Sequence, residues 1–405
     1  MTTTFALRAP VLNHASKAWF GTKFGKRSLA VGHALTSPCK PDQRLAAVSL
    51  VPCADRDACD LSSEAADARS PALAAAAAVG DGGPGDCDDD GDGGPGDCDD
   101  GDDGDDSGGA APSEHVVRLS TGVDIFYVEQ GRAEGEPVVF LHGYTDSHRS
   151  FDLDLARLPR RYHAYALDQR GHGASSKPEC CYAQSDFAND VVAFLDALGI
   201  ERATLVGHSM GSFVAHQVAA EHPERVAKLV LVGSAPTSAG KPVVLGLKDA
   251  VDALSEPVDP VFVREFQAST FFRPIPASFL DAAVGESLRV PLTVWRQALD
   301  GLLAEDHSAA LGNVAAPTLV VWGDRDGLFS LADQQALDAA IADSTLAVYE
   351  QTGHAPHVER PKRFVRDLKK FLRLAAPPAE GAGHDDRRRV QRNRRRLEVL
   401  DRRGL

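Results

Sequence analysis

The residues with the clearest chemical potential are Gly207-His208-Ser209-Met210-Gly211. A short apolar run, Ala203-Thr204-Leu205-Val206, precedes them, and Ser212 to Ala220, rich in Ala and Val, follows. The first segment reads as a buried strand and the second as a helix. A Gly-x-Ser-x-Gly at such a junction implies a turn so tight that the residues flanking the serine must be nearly free of side chain. The serine hydroxyl is then exposed, and the helix N-terminus beneath it favours developing negative charge. Ser209 is therefore a candidate nucleophile. A serine hydroxyl is poorly nucleophilic at neutral pH until a base takes its proton and a carboxylate orients that base.

Those partners should follow Ser209, on loops at the C-terminal ends of later strands. Asp324 and Asp326 come after the apolar run Pro317–Trp322 and Gly323, and His354 lies beyond the next strand-like run, Thr345–Tyr349.

The elements that must carry these residues alternate. Val116–Ser120 and Val123–Val128, separated by Thr121-Gly122, predict a β-hairpin. Pro137–Leu141, Tyr162–Leu167 and Leu229–Val232 are further apolar strands, and Ser185–Leu198 has helical spacing of Phe187, Val191, Phe194, Leu195 and Leu198. Strands alternating with helices predict a mostly parallel, doubly wound α/β sheet covered on both faces. The rhythm breaks over residues 234–313, which hold helix-like pieces and scattered Pro with no clear β run, and which predict a helical cap. A final helix is expected from Pro361 to about Leu374.

Five motifs in this order resemble the α/β-hydrolase superfamily, and its capped serine esterase and lactonase members most closely. They are His142-Gly143, the turn from Asp168 to Ser175, Gly207–Gly211, Gly323-Asp324-Arg325-Asp326 and Gly353-His354-Ala355-Pro356. The resemblance implies Asp326 as the acid, with Asp324 in a turn role, and His354 as the base. The oxyanion hole would use the backbone N–H groups of Met210, directly after the nucleophile, and of Tyr144, directly after His142-Gly143. His142, His172, His208 and His357 are expected to serve structure or the pocket wall, and Asp168 and Arg170 to pin a loop. The expected reaction is cleavage of a carboxylic ester or lactone of a small, mainly apolar substrate, with neither metal nor organic cofactor. Acyltransferase, perhydrolase and carbon–carbon bond hydrolase chemistry on the same residues remain alternatives, as does a ligand-binding or interaction protein. Serine at 209 disfavours the dehalogenases and epoxide hydrolases of this superfamily, which use Asp at that position.

Outside residues 113–376 the composition changes. Residues 1–41 contain six Lys or Arg and no Asp or Glu, the pattern of a basic N-terminal extension or an organellar transit peptide. Residues 42–112 are low-complexity and expected to be disordered. Of the formal net charge of −15, the 13 Asp of residues 81–106 account for nearly all. The ten residues from Gly80 recur from Gly91. They resemble the calcium-binding type 3 repeats of thrombospondin-like proteins, but only over two units, and a solvated acidic linker is the expectation. Residues 377–405 carry nine Arg between Arg387 and Arg403. They read as a solubilising tail, and nucleic acid is not an expected partner. Seven cysteines are an odd number, five of them precede residue 113 and the other two, Cys180 and Cys181, are adjacent, so no disulfide framework is expected. No apolar stretch reaches the ~20 residues of a membrane span. The expected compartment is the cytoplasm, or a plastid or mitochondrion if residues 1–41 are a transit peptide. Oligomeric state is left open.

Overall fold

Apolar runs with no polar alternation require cover on both faces, and the chain builds one sheet that has it. The computed structural model describes residues 111–374. The basic extension of residues 1–41, almost all of the acidic linker of 42–112 and the Arg-rich tail of 377–405 lie outside the described residues.

Eight strands form the sheet in the order β1-β2-β4-β3-β5-β6-β7-β8. They are β1 (Ser113–Arg118), β2 (Asp124–Gln130), β3 (Glu136–Leu141), β4 (Tyr162–Leu167), β5 (Ala203–His208), β6 (Val226–Val232), β7 (Thr318–Gly323) and β8 (Ser344–Tyr349). The β1–β2 and β2–β4 pairs are antiparallel, and every other pair is parallel. The hairpin sits a few residues from its predicted bounds. Leu119 and Val123, read as strand, instead close the turn through a Leu119 N–H to Val123 carbonyl bond of 2.9 Å, with Gly122 at φ 85°.

The helices are α1 (Asp152–Leu155), α2 (Gln184–Ala197), α3 (Met210–Glu221), α4 (Pro242–Asp252), α5 (Pro260–Ser269), α6 (Ala277–Leu288), α7 (Leu292–Ala304), α8 (Leu331–Ala340), α9 (Pro356–Glu359) and α10 (Pro361–Leu372). Because side chains alternate along a strand, β5 and β6 feed two cores at once. Leu205, Leu229 and Leu231 pack with Phe194 of α2 and Val214 of α3. Val206, Val230 and Val232 pack with Phe364, Leu368 and Phe371 of α10. The buried Lys228 joins β6 to the end of α10, pairing with Glu136 at 2.5 Å and donating to the Leu372 carbonyl at 2.7 Å.

Residues 234–313 contain α4 to α7, the helical insertion expected there. No sequence pattern marks the short helices α1 and α9, or α8. In α8 only Gln334 and Leu337 are buried, so no apolar stripe marks it, although Ser330 caps it by accepting the Asp333 N–H. Among the described residues no helix is long and apolar enough to cross a membrane.

Candidate active site

Ser209 sits between β5 and α3 with φ 50° and ψ −119°, a backbone conformation L-residues rarely adopt. Its neighbours explain how the chain tolerates this. A Cβ on Gly207 would lie 2.3 Å from the Gly211 carbonyl oxygen, and one on Gly211 would lie 2.2 Å from that of Leu141. Side chains at either position would push the elbow apart. The elbow is also tied down by bonds from Ser209 N–H to the Val232 carbonyl (2.9 Å) and from Ser212 Oγ to the Ser209 carbonyl (2.6 Å).

Parallel strands deliver their C-terminal loops to one edge of a sheet, and the residues anticipated after Ser209 meet there. His354, in the loop after β8, places Nε2 2.8 Å from Ser209 Oγ and Nδ1 2.9 Å from Asp326 Oδ2. Asp326, in the loop after β7, has its other oxygen held by the N–H groups of Leu328 (2.7 Å) and Phe329 (3.2 Å). A carboxylate only accepts, so Nδ1 carries the imidazole proton. Nε2 is left as an acceptor facing the serine hydroxyl. The Asp326 side chain is fully buried. Asp324 is elsewhere: it accepts the Thr352 N–H at 3.4 Å, in keeping with the turn role expected of it.

Gly143, Tyr144 and Ser209 line one cavity. Met210 opens α3, so its N–H is among the first-turn donors that have no intrahelical partner. The Tyr144 phenol is not available to a ligand. It donates to the Trp295 carbonyl at 2.5 Å, and burial pushes its pKa well above the usual tyrosine range. The loop that follows β3 is tied to the insertion at successive residues. After Tyr144 comes Thr145, at φ 62°, 3.1 Å from Ser287 Oγ, and then Asp146, which accepts from Gln267 Nε2 at 2.9 Å.

The cavity and the open solvent at its mouth together span about 730 Å³. Its walls are mostly apolar, from Val244, Leu247, Phe266, Phe279, Leu299 and Leu302 of the insertion. The aromatic content of the insertion therefore divides. Trp295 is fully buried as core, whereas Phe266, Phe271 and Phe279 face the cavity.

His142, His172, His208 and His357 are all buried, and His208 and His357 also line the cavity. His357 is buried beside Phe151, Phe364 and His208, and burial pushes it down to about 3. His208 donates from Nε2 to the His354 carbonyl at 3.2 Å. His142 accepts the Gln169 N–H at 3.0 Å and is pushed down to about 4 by burial. His172 donates to the Arg170 carbonyl at 2.8 Å. Asp168 and Arg170 pin their loop. Burial opposes the Asp168 charge, but bonds from His148 and the Ala174 N–H hold it below the usual carboxylate range. Arg170 makes two 2.6 Å bonds to Asp190.

Three residues around the site carry no local sequence signal: Asp146, Gln267 and Glu359. Glu359 accepts the N–H groups of Gly353 (2.8 Å), Phe272 (3.1 Å) and Arg273 (2.7 Å), and burial raises its carboxyl to about 7. Asp146 is raised by burial to about 6. Among the described residues no group of three or more His, Cys, Asp or Glu is placed to hold a metal ion, and neither Cys180 nor Cys181 forms a disulfide.

Residues 136–361 match the family described as alpha/beta hydrolase fold. The chain is 31% identical over 277 residues to a non-heme chloroperoxidase of Streptomyces lividans, covering 64% of this chain and 99% of that protein. It is 28% identical over 278 residues to a bifunctional esterase/perhydrolase of Acinetobacter calcoaceticus, with coverage of 64% and 99%. An esterase structure from Exiguobacterium antarcticum superposes with a TM-score of 0.60 at 24% identity, over 64% of this chain and 99% of that one, and supports the fold.

Proposed function

Since the chain belongs to the α/β-hydrolase family, we propose that it is a serine hydrolase that cleaves a carboxylic ester or lactone of a small, mainly apolar substrate. The observation that carries this reading is the unbroken hydrogen-bonded line from Ser209 through His354 to Asp326, opening into a largely apolar cavity.

In the proposed reaction Ser209 Oγ attacks the substrate carbonyl as His354 Nε2 takes its proton. Asp326 stabilises the imidazolium that forms, without itself being protonated. The carbonyl oxygen becomes negative and is held by the N–H groups of Met210 and Tyr144. Each such donor contributes about 2.7–4 kcal/mol to lowering the barrier. His354 then gives the proton to the leaving alcohol. A water enters and gives one proton to His354 as its oxygen adds to the acyl carbonyl; the bond to Ser209 Oγ then breaks, His354 returns the proton to Oγ, and the free acid leaves. Residues 234–313 act as a cap whose apolar wall excludes water and selects the acyl group, within a hydrolase domain spanning 113–376.

Perhydrolysis is the second reading, favoured by the esterase/perhydrolase relative. Hydrogen peroxide would replace water in the second half-reaction on the same residues. A fluorophosphonate probe distinguishes both readings from a non-catalytic binding protein. Covalent label should appear on the Ser209 peptide, and absence of label there would remove the serine-hydrolase reading.

A further inference from the structure

Asp146 supplies the one carboxyl group among the residues lining the cavity that holds Ser209. Its neighbours do not neutralise it. Oδ1 accepts from the Gln267 amide at 2.9 Å, and the Ser150 hydroxyl also contacts the carboxyl. Its own N–H donates to the Gly143 carbonyl at 3.2 Å. Among the described residues no Lys or Arg pairs with it, and the titratable groups that reach it are His354, neutral until it takes the Ser209 proton, and another acid, Glu286. The Gln267 amide is in turn held by Ser287 Oγ at 2.8 Å, so the carboxyl is positioned from behind.

Its place relative to the reaction is close. A Cβ built on Gly143 would lie 3.0 Å from Asp146 Oδ2, and the next residue is Tyr144, the proposed oxyanion donor. A carboxylate beside a developing oxyanion in a low-dielectric cavity raises the barrier unless a positive charge lies between them. Among the described residues lining this cavity there is no Lys or Arg to supply one, and the His354 imidazolium, which forms only during the reaction, is already paired with Asp326. A ligand can.

We propose that Asp146 is a specificity determinant that selects esters bearing a protonated amine next to the scissile carbonyl. This rests on the serine-hydrolase reading for its consequence in turnover, but its binding component does not. The ammonium would donate to Asp146 Oδ2 while the rest of the acyl group fills the apolar cavity. It would thereby offset the repulsion between the carboxylate and the oxyanion.

The test uses three methyl esters of one carbon skeleton: leucine methyl ester, its 2-hydroxy analogue and 4-methylpentanoate methyl ester. kcat/KM on the full chain should favour the amine over the unsubstituted ester by about tenfold or more, as a charge-assisted hydrogen bond implies, with the hydroxyl between them. Asp146→Asn keeps an acceptor for Gln267 and should collapse that ratio towards one. Binding of the same esters to Ser209→Ala, by calorimetry, gives the same ranking without turnover. Turnover with no preference for the amine overturns this proposal and leaves the hydrolase reading standing. Amine-selective binding to Ser209→Ala, from a protein that turns over none of the esters, does the reverse. A preference that survives Asp146→Asn assigns the selectivity to another residue and overturns the proposal.

Discussion

Glu359 accepts the N–H of Gly353 at 2.8 Å, one residue before the imidazole of His354. Its second oxygen takes the N–H groups of Phe272 and Arg273, and the His354 N–H donates to the Thr270 carbonyl at 2.9 Å. One buried carboxyl thus fastens the loop carrying the proposed base to the segment that follows α5. Replacing Glu359 by Gln presents an amide N–H to backbone donors, so at least one is left unpaired. The expected cost is about 1–3 kcal/mol of stability, read by denaturant unfolding. A fall of about tenfold or more in kcat should accompany it as the imidazole loses its position.

Asp326→Asn tests the tautomer argument. Asp326 Oδ1 is held by two backbone N–H groups. The carbonyl of an Asn would be kept on that side, which turns its NH2 towards His354 Nδ1. The imidazole then carries its proton on Nε2 and cannot accept from Ser209. kcat on an activated ester should drop by about 10⁴-fold with little loss of stability. Retention of most of the activity would assign the orienting role elsewhere.

Gly233 has φ 55°, and a Cβ there would meet the His354 carbonyl oxygen at 2.5 Å and Nδ1 at 3.0 Å. Gly233→Ala should displace the imidazole from Ser209, costing about 10²-fold in kcat, with a smaller change in KM. Comparing the two constants separates displacement of the base from damage to the cavity.

Acid should destabilise the fold through its buried imidazoles. Burial lowers His172, His216 and His357 to about 3 and His142 to about 4, against an ordinary 6.5. Between those values the unfolded chain binds protons that the folded chain does not. Stability from these groups is therefore full above pH 6.5 and is lost as pH falls towards 3–4. Each contributes a slope of up to about 1.4 kcal/mol per pH unit in that window. Measured from pH 7 to pH 4, the unfolding free energy of wild type should fall more steeply than that of His216→Leu. Parallel curves would contradict the assignment.

Much of this was legible in the sequence, for identifiable reasons. The helix Gln184–Ala197 and the strand Ala203–His208 announce themselves by spacing and by unbroken apolarity. Ser209, Asp326 and His354 follow strands in the order that brings strand ends to one edge. What stayed hidden depends on contacts between distant segments. Gln267 and Asp146 are 121 residues apart, and Arg273 and Glu359 are 86 apart. Neither pair has a local pattern, because each is brought together only when the insertion folds over the sheet. The helix Leu331–Ala340 was hidden differently: with so little of it buried, it needs no apolar stripe.

The most direct test of the central claim is pre-steady-state hydrolysis of a p-nitrophenyl ester by the full chain and by Ser209→Ala. Acylation of Ser209 predicts a burst of p-nitrophenol close to one equivalent per chain, followed by slower turnover, and loss of both in the variant. Turnover that persists undiminished in Ser209→Ala, or its absence from both proteins, would contradict the account.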